Sequence, residues 1–417
     1  MSTTIVPGRQ AAAPAPSIAG NFRSYIARVR GGDMGALPAI LGLIVLCTAF
    51  AVLRPVFLSA TNFANLFTQG AAITMIAMGL VFVLLLGEID LSAGYTSGVC
   101  AAVLAVVMSQ QGLPWYVGVG AAVLTGVVIG LVLGALVAKL GIPSFVVTLA
   151  AFLAFQGLLL VLVQEGTNIA IRDPVIIAIE NRYLPPWLGW ALYAVCVLAY
   201  AAVQLVRARR RAGRGLAADP VGLIALRVGS LAVLGGLAVY ALNLERSRNV
   251  LLVSLKGVPV VVPIVLALLI FWTFVLRRTA FGRHIYAVGG NAEAARRAGI
   301  NVDLIRVSAF VICSGLASVG GIILASQASS VDPSTGGSDV LLFAVGAAVI
   351  GGTSLFGGKG RVLDAILGGA VVAVINNGMG LMGYSASVKY IVTGAVLLLA
   401  AGVDALSRKR AAASGLR

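Results

Sequence analysis

Few side chains in this sequence are equipped for chemistry, and their placement says what kind. The long apolar runs hold hydroxyls and amides (Thr74, Tyr95, Thr96, Ser97, Thr148, Gln156, Ser314, Ser318, Gln327, Asn376 and Asn377), while their central parts hold no Asp, Glu, Lys, Arg or His. Hydroxyls and amides both donate and accept hydrogen bonds, which suits a neutral polyol whose own hydroxyls do the same. Coupling to a proton or sodium gradient usually needs an ionisable residue inside the bilayer, so the pattern disfavours a gradient-driven carrier. Asn376-Asn377 is the first pathway candidate, because two adjacent amides cannot both face one neighbour. Gln156 comes next, with Thr148 and Ser97 among the remaining polar positions. Any one of these groups also has a plainer role open to it, hydrogen bonding between helices.

Motifs for covalent or phosphate chemistry fail on inspection. Gly351-Gly352-Thr353-Ser354-Leu355-Phe356-Gly357-Gly358-Lys359-Gly360 has the look of a phosphate loop, but Thr353 stands where its first Gly belongs, and Gly360 replaces the Ser or Thr that holds magnesium. There is no catalytic triad, HExxH or cluster of metal ligands, so the chain reads as a non-enzyme that binds no metal. The four cysteines, Cys47, Cys100, Cys196 and Cys313, lie singly in apolar runs and read as small core residues. His284 is the only histidine and sits in a basic loop. Gly87-Glu88-Ile89-Asp90-Leu91-Ser92-Ala93-Gly94 joins two apolar runs with almost no loop; Gly87 breaks one helix, and Asp90 or Ser92 caps the next.

The most informative polar stretch is Arg277 to Asp303. It carries the punctuation of a short helix: Asn291 as N-cap, Glu293 in the first turn, Arg296 and Arg297 in the last, and Gly299 where a left-handed residue closes the helix. A helix of about two turns is unstable alone, so this one is expected to pack against a partner.

These features sit in a chain of 417 residues, 60% hydrophobic and 11% charged, with 51 glycines. That composition belongs to an all-α, polytopic membrane protein. Twelve apolar runs, near 38–53, 70–86, 92–108, 116–138, 144–163, 187–206, 222–242, 258–276, 304–327, 340–356, 363–382 and 389–404, approach the roughly 17–25 residues that cross a bilayer. If both termini are cytoplasmic, the cytoplasmic segments carry 23 of the 30 Lys and Arg residues, the bias of the positive-inside rule. The net charge of +16 is thereby read as topology rather than as nucleic-acid binding. The expected domains are a cytoplasmic tail over 1–35, a transmembrane domain over 36–405 and a basic tail over 406–417. Residues 187–242 form a hairpin that could be excised without altering the sidedness of the rest, and 277–303 is a cytoplasmic loop.

Five stretches together resemble a known family: GEIDLSAG (87–94), GIPSFVVTLAAF (141–152), GRHIYAVGGNAEAARRAGI (282–300), AVGAAVIGGTSLFGGKGR (344–361) and KYIVTGAVLLLAAGVD (389–404). They resemble the permease subunits of bacterial ATP-binding-cassette monosaccharide importers of the ribose/xylose type. The resemblance implies about ten core spans plus the inserted hairpin, and an inner-membrane homodimer. It implies a cytoplasmic ATP-binding subunit that carries ATP and Mg, and a periplasmic sugar-binding protein. It assigns ATPase coupling to Gly290, Asn291, Ala294, Ala295, Gly299 and Ile300. The hairpin, together with Glu88 where relatives commonly carry Gly, resembles the D-xylose branch; ribose, galactose, inositol or a nucleoside are the alternative cargoes. Ala150 replaces a usual Gly, and Gln156 an Arg sometimes found there. The loops 164–186 and 328–339 are expected to meet the binding protein. The rival outside the family is a secondary sugar carrier.

Overall fold

A computed structural model describes residues 35–215, 220–247 and 254–413. The tail over 1–35 lies outside the described residues except for Gly35. Each of the twelve apolar runs contains a helix. In chain order these are α1 (Leu37–Leu53), α2 (Ala60–Leu85), α3 (Ala93–Ala105, continued by a π turn over Val106–Gln110), α4 (Trp115–Lys139) and α5 (Ser144–Leu162). After a two-residue strand β1 (Ile169–Ala170) and a short α6 (Pro174–Asn181) come α7 (Pro186–Ala212), α8 (Val221–Asn243) and α9 (Val261–Arg278). Two non-spanning helices follow, α10 (Ala280–Gly290) and α11 (Ala292–Arg297), then α12 (Val302–Ala328) and strand β2 (Ser330–Val331). The chain closes with α13 (Ser338–Ile350), α14 (Val362–Leu381) and α15 (Ala386–Ala413). Among the described residues, nine helices are long and apolar enough to cross a membrane, and α1, α13 and the apolar part of α15 are shorter.

Several boundaries differ from the sequence expectation. The run at 340–356 is helical only to Ile350; Gly351 ends it, and Gly352, Gly357 and Gly358 take positive φ in the loop that follows. Hydropathy does not register this break, because Leu355 and Phe356 keep the window apolar. The second run begins ten residues earlier, at Ala60, where Ser59 caps the helix by accepting from the Asn62 amide. The last helix runs on through most of the stretch expected as a basic tail.

The core centres on α2 and α12. The most apolar part of α2 is 83% buried, against 6% for α8. With no hydrophobic drive between helices in lipid, association relies on close packing of small residues, and α4 meets this need with Gly126, Gly130 and Gly134 on one face. A Cβ at these glycines would stand 2.6 Å from the Ser314 carbonyl oxygen, 2.5 Å from Val311 Cα and 2.8 Å from Val307 Cα, all on α12.

Two features depart from simple spans. The chain between α12 and α13 turns back into the bundle, setting Gly336 and Gly337 against Gly94 and Gly98 of α3. Asp332 Oδ1 holds this turn by accepting from the Ser334 amide at 2.8 Å and the Ser334 hydroxyl at 2.7 Å. The 13-residue α13 therefore starts inside the bundle, and spans only about 20 Å at 1.5 Å per residue. At the end of α12, β1 and β2 pair antiparallel with Ile169 opposite Val331, and α6 packs against α12.

α6 carries a buried anomaly. Glu180 is 3% exposed, and neither carboxylate oxygen has a hydrogen-bond partner among the described residues. Desolvation raises its pKa to about 9. The helix is nonetheless fastened to α12: the Glu180 amide donates to Ser326 Oγ at 3.1 Å, and Asn181 Nδ2 to the Ser326 carbonyl at 2.8 Å.

Two outcomes are expected. Gly130→Leu overfills the α4–α12 contact, a change that costs about 1–3 kcal/mol in packed cores; it should lower the melting temperature in detergent, whereas Gly120→Leu, with open space at its Cβ, should not. For Glu180, the folded state keeps a proton that the unfolded state releases between the ordinary carboxylate range and about pH 9. Stability must therefore fall as pH rises through that window. Glu180→Gln is expected to flatten this slope and to melt at a higher temperature than the wild type at about pH 8.

Candidate functional site

Asn62, Asn65 and Gln69 recur at the i, i+3, i+7 positions of one helical face of α2. That face, Gln327 near the end of α12, Asn376 and Asn377 of α14, and Lys389 of α15 line a cavity of about 450 Å³. Six amide side chains thus converge from three helices. Asn377 Nδ2 donates to Gln69 Oε1 at 3.1 Å, and Asn62 Nδ2 donates to the Phe57 carbonyl at 3.0 Å. The Asn377 side-chain oxygen Oδ1 is buried behind the cavity wall without a partner among the described residues. Gln327 also lines a second cavity of about 800 Å³, walled by the Asp332–Asp339 turn, the start of α13, and Tyr390 and Thr393 of α15. The two volumes fall in the range of small-molecule sites. Apart from Lys389, the lining of the smaller cavity is uncharged; it offers paired donors and acceptors, the chemistry of hydroxyl recognition.

Of the five pathway candidates, the structure gathers Asn376 and Asn377 into this site. Thr148 of α5 is buried against the break between α2 and α3, where its single hydroxyl hydrogen is shared between the Ser144 carbonyl at 2.8 Å and the Ile89 carbonyl at 3.2 Å. Ser97 donates to the Gly94 carbonyl at 2.6 Å and packs under Gly336. Gln156 is half-buried on α5 and lines neither cavity. Sequence reasoning misses Asn62, Asn65 and Gln69, because hydropathy starts the second span at residue 70. Their helical spacing is the available signal.

At the opposite end of α2 and α12 lies a polar platform. Asn291 caps α11 by accepting from the Ala294 amide at 2.9 Å, and Glu293 pairs with Arg296 at 3.6 Å and Arg297 at 3.1 Å. Gly299 adopts φ +83°, and the Gly299 and Ile300 amides close the helix on the carbonyls of Arg296 and Ala295. Ala295 faces inward, 4% exposed, while Gly290 has open space at its Cβ. α10 fastens this segment to the bundle. Gly289 abuts the Leu85 carbonyl at the end of α2 so closely that no Cβ fits, the Gly358 amide donates to that same carbonyl at 2.8 Å, and Tyr286 donates to the Gly360 carbonyl at 2.7 Å. Arg306 on α12 pairs with Glu88 at 3.1 Å. The amide cavity and the platform are therefore opposite ends of the same two helices.

Residues 62–401 match the family described as branched-chain amino acid transport system / permease component. The chain belongs to this family. It is 36% identical over 354 residues to the xylose transport system permease protein XylH of Escherichia coli K12, covering 85% of this chain and 87% of that protein. The XylH of Haemophilus influenzae Rd is 32% identical over 89% of this chain and 96% of its own length. The ribose import permease protein RbsC of Escherichia coli K12 is 30% identical, over 88% and 92%. No solved structure matches. With nine apolar helices of spanning length among the described residues, the permease is a multi-pass protein of the inner membrane.

The platform generates a paired test. Gly289→Val is expected to push α10 off α2, lowering the melting temperature of the permease and speeding trypsin cleavage at Arg296 and Arg297, which are exposed already. Gly290→Val, one residue on, is expected to change neither.

Proposed function

We propose that this permease is the membrane subunit of an ATP-binding-cassette importer that carries a monosaccharide inward, with D-xylose as cargo. The observation that supports a sugar is the convergence of six amides around one cavity. A carboxamide offers a donor and an acceptor side by side, which matches vicinal hydroxyls. Xylose is chosen because XylH proteins are among the relatives at 32–36% identity; ribose is the alternative, from the relative at 30%.

The chain itself holds no cofactor in this reading; ATP and Mg belong to a separate ATPase subunit. That subunit docks on the outer face of α11, where Asn291 and Ala294, flanked by Gly290, Gly299 and Ile300, form the contact, while the inward-facing Ala295 seats the helix on the bundle. A periplasmic sugar-binding protein meets the 164–186 and 328–339 loops, which β1, β2 and α6 hold together at the amide-cavity end. The assembly contains two copies of the permease. Closure of the ATPases presses on α11, and the Leu85–Gly289 and Glu88–Arg306 contacts hand the displacement to α2 and α12. Those helices carry Gln69 and Gln327, so the push alters the cavity that holds the sugar.

The decisive experiment is initial uptake of labelled xylose, ribose and galactose by cells with and without this chain. Loss of xylose uptake alone is expected; loss of ribose alone would replace the cargo and keep the importer, and no loss for any of the three would overturn the sugar assignment. Asn377→Leu removes an amide from the cavity wall together with its 3.1 Å bond to Gln69, so uptake is expected to fall about tenfold, the worth of one lost hydrogen bond of about 1.4 kcal/mol. Ala295→Trp should abolish uptake and stimulated ATP hydrolysis while leaving membrane insertion intact; wild-type uptake would remove α11 from the coupling role.

A further inference from the structure

The hairpin of α7 and α8 takes no part in the cavity or the platform. Its two helices pack chiefly on each other, and their flanks are largely exposed and apolar, as at Val203, Leu205, Val206, Val221 and Leu226. One end breaks that pattern. Gln204, Arg207 and Arg211 follow the i, i+3, i+7 spacing of a single face of α7, and Ile224 and Arg227 form the matching face of α8. Two helices in lipid should meet here through small or apolar residues. Instead three guanidinium-bearing side chains and a carboxamide surround a cavity of about 180 Å³ between them. Gln204 and Ile224 are buried, so this is the interface between the helices.

We propose that this cavity is a binding site for the phosphate headgroup of an anionic phospholipid. Like charges gathered between two helices repel, and a bound anion offsets that repulsion. Arg207 and Arg211 from one helix and Arg227 from the other can present planar forks to phosphate oxygens, a geometry Lys does not supply. Arg211 and Arg227 each keep an interaction within the chain; the positive excess remains, since residues 204–227 hold six arginines against one acid, Asp219. Basic pockets between membrane helices on the cytoplasmic side are suited to anionic headgroups, and the charge count expects this end to be cytoplasmic. The exposed apolar flanks directly beyond the arginines supply a surface for acyl chains, which selects a lipid over free phosphate. The site rests on the membrane assignment alone and is independent of the cargo.

The test uses the full permease in nanodiscs of phosphatidylglycerol and phosphatidylcholine, with lipid retained after delipidating washes counted by native mass spectrometry. The wild type is expected to keep one phosphatidylglycerol per chain with a preference of about tenfold, or about 1.4 kcal/mol. Arg207→Gln with Arg227→Gln should abolish the preference. Arg209→Gln with Arg210→Gln removes the same charge from residues outside the cavity lining and should leave the preference intact. Equal losses in the two double variants would overturn the proposal in favour of diffuse surface charge. Displacement of the lipid by inorganic phosphate at about ten millimolar would overturn it in favour of a small-anion site, and absence of any preference would remove the site. If the first double variant is not recovered folded, Arg207→Lys keeps the charge and loses the fork; an unreduced preference in that variant would also overturn the proposal.

Discussion

The permease depends on how closely α12 lets neighbouring backbones approach. Gly126, Gly130 and Gly134 bring α4 onto one side of it, and Gly79 of α2 abuts the Cys313 carbonyl on another. On α12 itself, Gly321 leaves room for the Ser97 backbone of α3. Lipid tails are as apolar as leucine, so burying leucine between helices gains little; van der Waals contact over a close approach has to supply the association. This constraint accounts for the glycines at these contacts, and it makes α12 a spine to which α2, α3, α4 and α6 are registered.

Rigidity at the spine gives distant ends something to communicate through. α2 has 26 residues and α12 has 27, each about 40 Å at 1.5 Å per residue. At one end they carry Gln69 and Gln327 into the amide cavity, and at the other the Leu85 carbonyl and Arg306 engage the platform. A packed helix transmits displacement because its neighbours admit few intermediate positions. The turn at Asp332–Gly337 adds a fixed stop inside the bundle, held by the Asp332 side chain rather than by lipid-facing packing.

The hairpin obeys a different rule. α7 and α8 touch the core mainly at one end, where Arg182 and Leu184 exchange backbone hydrogen bonds with the 258–260 segment and Arg246 donates to the Gly257 carbonyl at 3.0 Å. Elsewhere it faces lipid. Its sequence reads as an insertion that could be excised without altering the sidedness of the rest, while Leu242 of α8 packs with Ala64 of α2 and Val258.

Periodicity, hydropathy and charge are local quantities, and what they control is legible in the amino-acid sequence alone. Membership of the all-α membrane class, a helix in each of the twelve apolar runs, and the short helix capped by Asn291 and closed by Gly299 all follow from residue types at short separations. The cavity does not. Asn376-Asn377 stands out as an adjacent pair, but nothing local says that Gln69 lies across from it, 308 positions away in sequence. Thr148 and Ser97 look similar in the sequence, and only tertiary packing sends their hydroxyls to backbone carbonyls. Hydropathy reads 340–356 as one span because a window sums side chains and ignores backbone handedness; the positive φ at Gly352, Gly357 and Gly358 is set by the contacts that loop makes. The sequence by itself determined that each apolar run holds a helix and that a short capped helix follows Asn291, since both are set within a few turns; α6, α10 and the break after Ile350 are not legible there. Only the tertiary structure decided which polar groups share a cavity, because that depends on helices whose order in space is fixed by glycine contacts far apart along the chain.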